Sequence, residues 1–587
     1  MRKGIAVSPG VAVGTAYCIH EIFVNPDTKR LEDQEVTAEL ARYESARDRV
    51  SQELRALNQK VERQVGHEAA AIFSVHEAIL RDQAFTKKVR SWIVNDRMNA
   101  QAALHQLLEE YTRLFSRTRD SYLRERLGDV RDVVIRLSAV LTDVLKPDKM
   151  SIDGPLIIVA DELLPSQAVA LGDVEVQGIV TQQGSQTSHA AIIARSRGIP
   201  AVAAVTGILR QVKTGDRIVV DGRAGHVVVN PDPEALSAYS KLEREFFELQ
   251  DQLAENRDQP ATTADGQPLQ LLANINSWVD TKAAVAMGAC GVGLYRTEFL
   301  YLTHADVPDE EEQLDDYRRI IAQSPNHRVT IRTLDIGGDK TVPYLGHAHQ
   351  EANPFLGWRS IRLSFEHPDL FTTQIRAVLR AAADVKGQGP EVRLMFPMIT
   401  TLEEMRRVRT MVRRTKQQLQ QEGQPIGEVP IGMMLEVPAA AVSLDCIMDI
   451  VDFVSIGSND LIQYLMAADR DNPKVNHLCQ PLSPPVLRVL HSVIRTCNQA
   501  QKPVTLCGEM AGQPRAFVLL LGMGLRQFSM SPAFVPRMKK LASEVSIPAA
   551  EEMLQRVLEF KTTAEVKRFM TRNLRKIAPD FELLDSV

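Results

Sequence analysis

Long apolar runs and a large net charge are both absent from this chain of 587 residues. Lysine and arginine number 69 and aspartate and glutamate 74, so the formal net charge is −5. No apolar stretch is long enough to cross a bilayer, which predicts no membrane insertion. The basic start Met1–Lys3 is followed by no apolar run, so a secretory signal peptide is not expected. The nearly balanced charge also predicts no binding of nucleic acid or of anionic membranes.

Cysteine is scarce, and its spacing excludes two common uses. No C-x-x-C pair occurs, which disfavours both a zinc site and a disulfide framework. This usage is typical of a reducing cytosol, so we expect a cytoplasmic protein. The six cysteines are Cys18, Cys290, Cys446, Cys479, Cys497 and Cys507.

The length of the chain implies several domains, each able to bury a core of its own. Short strands with turn formers occupy residues 4–17, and helical spacing then takes over. We predict a multidomain α/β protein: a β/α domain with an all-helical insertion, followed by a C-terminal (β/α)8 barrel. The predicted bounds are 1–20 plus 147–233 for the β/α domain, 21–146 for the insertion, 234–260 for a linker helix and 261–587 for the barrel.

Apolar residues from Val36 to Val61 recur at steps of three and four, which predicts a long amphipathic helix. Further helices are predicted over Ala69–Ala84, Ala100–Phe115 and Asp120–Leu145. The resulting bundle is either a structural spacer or a docking surface for another protein. His76, Ile79, Leu80 and Phe85 belong to an apolar docking face in the second case and to the core in the first.

A loop that turns into a helix carries His189. Gly184 marks the turn, and the hydroxyls of Thr187 and Ser188 suit an N-cap. His189 follows in or beside the first helical turn, where free N–H groups and the helix dipole stabilise an anion. The imidazole either carries a phosphoryl group or merely caps and packs. The segment alone favours packing, whereas a phosphate-binding barrel and the lack of another obvious nucleophile favour the phosphoryl carrier.

A charged amphipathic stretch, Pro233–Gln259, follows this domain. Its apolar positions have helical spacing, which predicts a single helix. The helix either flexes, which would let the histidine domain move, or packs rigidly, and its composition favours neither.

Strand candidates and helical stretches alternate through the remainder of the chain. This alternation predicts a (β/α)8 barrel, whose active site lies at the C-terminal ends of the strands. The eight candidates are Leu269–Ile275, Gly291–Arg296, Val329–Leu334, Arg393–Met398, Ile431–Glu436, Phe453–Gly457, Val504–Cys507 and Phe528–Met530.

Arginines stand at or near the ends of these predicted strands. Arg296 and Arg332 offer forked donors for a phosphate or a carboxylate, and Arg359 and Arg470 add to the set. The alternative is a salt bridge from each arginine to a barrel carboxylate. We expect that alternative for one or two of the four and not for all.

Two carboxylates and one thiol also end strands. Glu436 and Asp460 are hard oxygen ligands of the kind that Mg²⁺ prefers. A cation there would neutralise the charge that develops as a phosphoryl group leaves. Cys507 is either a proton donor to a carbon atom or a buried inert thiol.

Taken together, these motifs resemble Enzyme I of the phosphoenolpyruvate:sugar phosphotransferase system over essentially the whole chain. Each motif is moderately specific, and their occurrence in order is very specific. The motifs are Lys3–Gly10, Thr187–Ala190, Gly291–Phe299, Arg332–Lys340, Asn353–Arg359, Ser458–Tyr464 and Cys507–Gly512.

The resemblance implies a phosphoenolpyruvate–protein phosphotransferase. His189 would take the phosphoryl group on Nε2, Cys507 would protonate the enolpyruvate carbon, and Glu436 and Asp460 would bind Mg²⁺. The helical insertion would dock an HPr-type phosphocarrier protein, or an NPr-type carrier if the chain is a nitrogen-branch paralogue. The family also implies a homodimer through the barrel and a histidine domain that swings. The residues implied to hold the substrate are Arg296, Arg332, Arg359, Asn459 and Arg470.

Four positions depart from the family's pattern. Ser185-Gln186 stands where the family usually has a glycine and then an arginine or lysine, which removes a cation near His189. This loss is expected to alter the transfer rate or the preferred carrier. Gln513 stands where aspartate is common, and Ser458 replaces a common threonine while keeping the hydroxyl. No sensor domain precedes the first strand, which favours the sugar branch over the nitrogen branch.

Two other functions share parts of this pattern. A relative of pyruvate-phosphate dikinase or phosphoenolpyruvate synthase needs an ATP-binding domain, and no G-x-x-x-x-G-K-[ST] loop is present. A catalytically silent carrier-binding protein would have no need for Arg296, Arg332, Glu436, Asp460 and His189. Phosphoryl transfer from phosphoenolpyruvate to a protein is therefore the leading hypothesis.

Overall fold

A computed structural model of the chain shows two compact units, one from Met1 to Leu249 and one that begins at Gln250. Each unit is described by itself below. The residues that the structure describes are 1–19, 30–64, 67–115, 121–142, 155–163, 176–184, 191, 194, 199–303, 306–337, 351, 353–385, 392–470, 472 and 474–579.

An eight-stranded sheet organises the first unit. The strands lie in the order β1-β8-β7-β3-β4-β5-β6-β2. Neighbours from β3 to β6 are parallel, and the remaining pairs are antiparallel. The strands are β1 Arg2–Lys3, β2 Ile5–Ser8, β3 Val11–Ile19, β4 Leu156–Ala160, β5 Val176–Thr181, β6 Ala201–Ala203, β7 Arg217–Asp221 and β8 His226–Val229. Because β3 pairs with β4, the opening strands join the sheet formed after the helical stretch.

Five helices lie between β3 and β4 in the described residues. They are Val36–Gln64, His67–Arg81, Gln83–Val94, Ala100–Phe115 and Ser121–Thr142. The single helix predicted over Ala69–Ala84 is wrong, since two helices meet at Asp82 and the second continues to Val94. Asp82 has non-helical dihedral angles (φ −59°, ψ 129°), and its carboxylate accepts the N–H of Phe85 at 2.8 Å. This N-cap begins a new helix at a point where the spacing of apolar residues continues without a break.

The apolar residues of this bundle face its interior. His76, Leu80 and Phe85 are at most 2% exposed, and Ile79 is half-buried against the same core. The core interpretation therefore holds for His76, Leu80 and Phe85, which cannot form an exposed docking face.

One long helix, Pro233–Glu255, begins in the first unit. Leu236, Tyr239 and Leu242 pack against a small apolar cluster that includes Val13 of β3. The carboxylate of Glu243 accepts the backbone N–H of Val13 at 2.9 Å. The first half of this helix is thus packed on the sheet, which agrees with the rigid alternative over that half.

The second unit contains a closed barrel of eight parallel strands. Each strand pairs with the next along the chain, and β16 closes the barrel on β9 with Gln527 opposite Gln270. The predicted (β/α)8 architecture is therefore confirmed. The strands are β9 Gln270–Ile275, β10 Val292–Arg296, β11 Val329–Arg332, β12 Val392–Phe396, β13 Ile431–Leu435, β14 Phe453–Ile456, β15 Val504–Leu506 and β16 Gln527–Met530.

Helices follow the strands around the outside of the barrel, as the fold requires. Those described are Trp278–Ala286, Glu298–Thr303, Glu310–Gln323, Ile361–Glu366, Pro368–Ala381, Leu402–Gln421, Pro438–Val442, Leu444–Ile447, Ser458–Met466, Pro484–Gln499, Pro514–Gly522, Val535–Glu544, Ile547–Glu559 and Thr563–Ile577. Within the described ranges, no helix combines the length and the apolar character needed to cross a membrane.

Side chains fill one part of the barrel densely. Leu294, Met395, Met434, Phe453 and Cys507 form a buried cluster contributed by several strands. A Cβ at Gly432 would come within 2.5 Å of the Phe453 ring, so the glycine makes room for the aromatic side chain. This packing holds the strand ends that carry the polar residues described next.

Candidate active site

The C-terminal ends of the barrel strands gather most of the predicted site residues. Arg296 and Arg332 are the last residues of β10 and β11 and lie opposite each other in the strand register. Glu436 directly follows β13, and Cys507 directly follows β15. Asp460 lies in the first turn of the helix that follows β14. Parallel strands of one closed barrel therefore present these groups at one mouth.

Arg332 is held by two buried carboxylates. Its Nη2 lies 2.5 Å from Oε1 of Glu298, and its Nη1 lies 3.1 Å from Oδ2 of Asp335. Burial opposes the charge on Arg332, but the neighbouring carboxylates outweigh burial and raise its pKa above the ordinary value. Arg332 is therefore a fixed cation whose guanidinium is held in one orientation by its two partners.

Arg359 shares one of these carboxylates. Its Nε and Nη2 donate to the two oxygens of Asp335 at 3.2 and 3.1 Å, a forked pair. Nη2 also lies 3.4 Å from Oδ2 of Asp460, and Nη1 donates to the Tyr464 hydroxyl at 3.2 Å. Burial lowers the pKa of Arg359, but Asp335 and Asp460 raise it further than burial lowers it. Asp335 thus couples Arg359 to Arg332.

The remaining predicted substrate residues are bound more loosely. Arg470 is about one third exposed, and its Nη1 lies 3.5 Å from Oδ1 of Asp460. Arg296 donates from Nη1 to the amide oxygen of Asn276 at 3.4 Å. The amide oxygen of Asn459 accepts the backbone N–H of Glu509 at 3.1 Å.

Salt bridges to barrel carboxylates occur for three of the four arginines, one more than the sequence led us to expect. Arg332, Arg359 and Arg470 each have a carboxylate partner in the part of the chain that the structure describes. The pairing fixes the orientation of the guanidinium groups.

Glu436 and Asp460 each have one buried carboxylate oxygen that accepts no hydrogen bond, although the Asp460 oxygen lies 3.5 Å from the guanidinium of Arg470. Glu436 is 1% exposed, and its Oε1 accepts the backbone N–H of Met398 at 2.6 Å. Its Oε2 and Oδ1 of Asp460 are buried atoms with no hydrogen-bond partner. Burial, followed by the charges of Asp460 and Asp335, raises the pKa of Glu436 to about 8. A bound cation would displace the proton of Glu436 and give both oxygens a partner, so the pair fits a cation site.

A cation at this position would take few ligands from the protein itself. Among the described residues, no group of three or more histidines, cysteines, aspartates and glutamates is arranged to hold a metal ion. Two carboxylates are nevertheless the usual protein share for Mg²⁺, which fills its other positions with water and substrate oxygens.

Cys507 lies at the mouth end of the buried cluster. It is 2% exposed, and its Sγ donates weakly to the carbonyl oxygen of Ile456 at 3.5 Å. Burial raises the pKa of the thiol, so it stays protonated at neutral pH. A protonated thiol is what a proton donor requires and is equally what an inert core cysteine shows.

His189 lies outside the described residues, as do Thr187, Ser188 and the unusual pair Ser185-Gln186. The residues just before that segment in the chain are described, and there the side-chain amides of Gln182 and Gln183 each donate to the carboxylate of Asp161 at 2.8 Å.

Sequence reasoning missed three polar residues that build this site. Glu298 and Asp335 are buried partners of Arg332, and Tyr464 accepts a hydrogen bond from Arg359. All three lie within the motifs that carry the family resemblance, within a few residues of a predicted site residue. For Glu298 and Asp335 the available signal was their position just past the ends of β10 and β11, whereas Tyr464 lies further on, in the helix Ser458–Met466.

Comparisons with known proteins agree with this arrangement. Models of phosphoenolpyruvate-utilising enzymes match in three parts: the N-terminal region over residues 3–126, the mobile domain over 152–225 and the phosphoenolpyruvate-binding domain over 250–547. The last range contains the barrel mouth. Barrel and matches together define the class as a phosphoenolpyruvate-utilising enzyme.

Relatives that match this chain over nearly its full length identify a family within that class of enzymes. Phosphoenolpyruvate-protein phosphotransferases from Staphylococcus carnosus and Geobacillus stearothermophilus are 38% and 40% identical, covering 96% and 97% of this chain and 97% of each relative. The same protein of Haemophilus influenzae is 37% identical over 97% of this chain and 98% of its own length. The chain belongs to the phosphoenolpyruvate-protein phosphotransferases, the Enzyme I family.

Proposed function

We propose that the protein phosphorylates itself on His189 from phosphoenolpyruvate and Mg²⁺, releases pyruvate, and passes the phosphoryl group to a histidine of an HPr-type carrier. The observation that carries this proposal is the pair of buried carboxylate oxygens without hydrogen-bond partners, on Glu436 and Asp460. They lie beside a guanidinium cluster, as a site for an anionic substrate and a cation would need.

Charge balance supports the cation. The mouth holds the guanidinium groups of Arg296, Arg332, Arg359 and Arg470 and the carboxylates of Glu298, Asp335, Glu436 and Asp460. The formal charges of these eight groups cancel when all are ionised, so the phosphate and carboxylate of a substrate would add negative charge that this set does not offset. Glu436 and Asp460 would hold a divalent cation, which would offset that charge and the charge that develops on the transferring phosphoryl group.

The protein's own groups divide the remaining work. Arg332 and Arg359 orient the substrate, with Arg296, Asn459 and Arg470 completing its binding. The bond between phosphorus and the enol oxygen breaks as a bond forms between phosphorus and Nε2 of His189. The enolate left behind takes a proton on carbon from the thiol of Cys507, which gives pyruvate, and the thiolate regains its proton from water.

The carrier docks on the helical insertion in this proposal, and the barrel mediates a homodimer. Full-length similarity to phosphoenolpyruvate-protein phosphotransferases supports a protein as the acceptor. The buried core residues of the bundle leave its half-buried and exposed positions as the candidate docking surface.

Labelling tests the proposal directly. Purified protein incubated with Mg²⁺ and ³²P-phosphoenolpyruvate is expected to gain phosphate that is labile in acid and stable in base, as phosphohistidine is. The His189→Ala protein should gain none. Label retained by His189→Ala would point to another nucleophile, and phosphate accepted only from ATP would favour a dikinase.

A second variant separates the two half-reactions. Asp460→Asn is expected to block labelling from phosphoenolpyruvate, because it removes a carboxylate charge from the proposed cation site. The same protein should still accept phosphate on His189 from phosphorylated carrier, which does not need the barrel mouth. Loss of both reactions would contradict the proposed role of Asp460.

A further inference from the structure

Fully buried polar side chains lie behind the strand ends that carry Arg296 and Arg332. Thr297, Gln313 and Gln374 are all 0% exposed and hydrogen-bond to one another through Tyr317 or directly. Burying such groups costs free energy unless each finds a partner, so their presence calls for a structural reason.

The side chain of Thr297 continues the contact between β10 and β11 beyond the last pair of residues in the strand register. The two strands pair as far as Arg296 opposite Arg332. One residue further, the hydroxyl of Thr297 donates to the carbonyl oxygen of Arg332 at 2.8 Å. The side chain therefore ties the backbone of Arg332 to the residue that follows Arg296.

Gln374 lies on the helix Pro368–Ala381, and its side-chain amide forms hydrogen bonds near the ends of β10 and β11. Its Nε2 donates to the hydroxyls of Thr297 at 3.1 Å and Tyr317 at 3.2 Å. Its Oε1 accepts the backbone N–H of Leu334 at 2.9 Å. Both donor hydrogens and the acceptor oxygen are thus engaged. These bonds bracket the turn that leads from Arg332 to Asp335.

We propose that Thr297 and Gln374 are positioning residues, which hold Arg332 and Asp335 in the geometry that binds phosphoenolpyruvate. The inference rests on the proposed function of Arg332 as a substrate ligand. Asp335 also forms the forked pair with Arg359, so one shift at the end of β11 displaces two guanidinium groups together. A misplacement of about 1 Å, even from a change far from the reacting atoms, can cost about 100-fold in rate.

Gln313 provides a matched control. It is as buried as Gln374, and its Oε1 accepts the hydroxyls of Tyr301 at 3.2 Å and Tyr317 at 3.1 Å. Its Nε2 donates to the carbonyl oxygen of Pro308 at 2.9 Å. Within the described part of the chain its own hydrogen bonds do not reach the β11 turn, and the Tyr317 hydroxyl is the partner that it shares with Gln374.

The experiment compares four variants of the full-length protein: Gln374→Met, Gln313→Met, Thr297→Val and Thr297→Ser. Pyruvate release in the presence of carrier gives KM and kcat for phosphoenolpyruvate, and thermal unfolding gives the loss of stability. We expect Gln374→Met and Thr297→Val to raise KM about tenfold or more, because misplacing a positioned contact costs that much. Thr297→Ser, which keeps the hydroxyl, should rescue KM to within about twofold of wild type.

Gln313→Met should lower the melting temperature as much as Gln374→Met does, yet leave KM within about twofold of wild type. Equal KM values for those two variants would overturn the inference. If Gln374→Met does not fold, the Thr297 pair decides the matter, since a KM that is unchanged in Thr297→Val would also overturn it. Wild-type protein that takes no phosphate from phosphoenolpyruvate would instead refute the proposed function.

Discussion

Replacing the buried carboxyl of Glu436 by an amide is expected to stabilise the metal-free protein at alkaline pH. Burial, followed by the charges of Asp460 and Asp335, raises the pKa of Glu436 from 4.5 to about 8. Since one pKa unit is worth about 1.4 kcal/mol, ionising this carboxyl within the fold costs up to about 5 kcal/mol. Such a cost is tolerated at functional sites, where a ligand repays it.

The sign of the pH dependence follows from proton binding. Between pH 4.5 and about 8, the folded protein keeps a proton on Glu436 that the unfolded chain has released. Raising the pH therefore destabilises the fold: the contribution is fully present below pH 4.5 and is lost as the pH passes about 8. The Glu436→Gln protein carries a neutral amide at every pH and lacks this loss.

Thermal unfolding in a chelator at about pH 5.5 and about pH 8.5 measures the effect. Wild-type protein should lose up to about 3 kcal/mol more than Glu436→Gln between these conditions. Adding Mg²⁺ at the higher pH should raise the melting temperature of wild type and leave that of Glu436→Gln unchanged. Glu552→Gln, which changes an exposed carboxylate in the helix Ile547–Glu559, should behave as wild type. The same pH dependence in wild type and Glu436→Gln would refute the reasoning.

Three further predictions concern the barrel mouth. Gly508→Ala would place a Cβ 1.8 Å from Oγ of Ser458. We therefore expect labelling from phosphoenolpyruvate to fall while labelling from phosphorylated carrier persists. Unchanged labelling from phosphoenolpyruvate would contradict this prediction. Arg359→Lys keeps the positive charge but loses the forked pair with Asp335, so urea unfolding should show a loss of about 1.5 kcal/mol or more, whereas a loss of a few tenths would contradict a buried pair. Cys507→Ala should slow pyruvate formation without slowing the exchange of phosphate between His189 and the carrier, and pyruvate formation at the wild-type rate would assign Cys507 to the core alone.

The barrel could be predicted from the sequence because its strands are buried on both faces and appear as short apolar runs between helices. The predicted ends were long by one residue at Glu436 and Cys507, since the hydrogen-bonded ladder stops just before the functional side chain. The helix boundaries within the helical insertion were harder to predict. Apolar spacing continues through Asp82, and the two helices are separated by the non-helical backbone of Asp82 and by the capping hydrogen bond that its carboxylate accepts from the N–H of Phe85.

The sequence predicted which residues lie at the site but not which carboxylate pairs with which arginine. Strand ends point to Arg332 and Glu436 because parallel strands present their C-terminal ends together. Which acid pairs with which arginine depends on side-chain packing, so Asp335 was not expected to bridge Arg332 and Arg359. Gln374 lies on a helix some distance along the chain, and no local pattern connects it to Leu334.

The exchange of ¹⁴C-pyruvate into phosphoenolpyruvate tests the central claim most directly, because it requires both chemistry at the barrel mouth and a reversible phosphoryl acceptor. Wild-type protein with Mg²⁺ and no ATP is expected to catalyse the exchange, and His189→Ala is expected to show none. Exchange that persists in His189→Ala, or that appears only when ATP is added, would contradict the account.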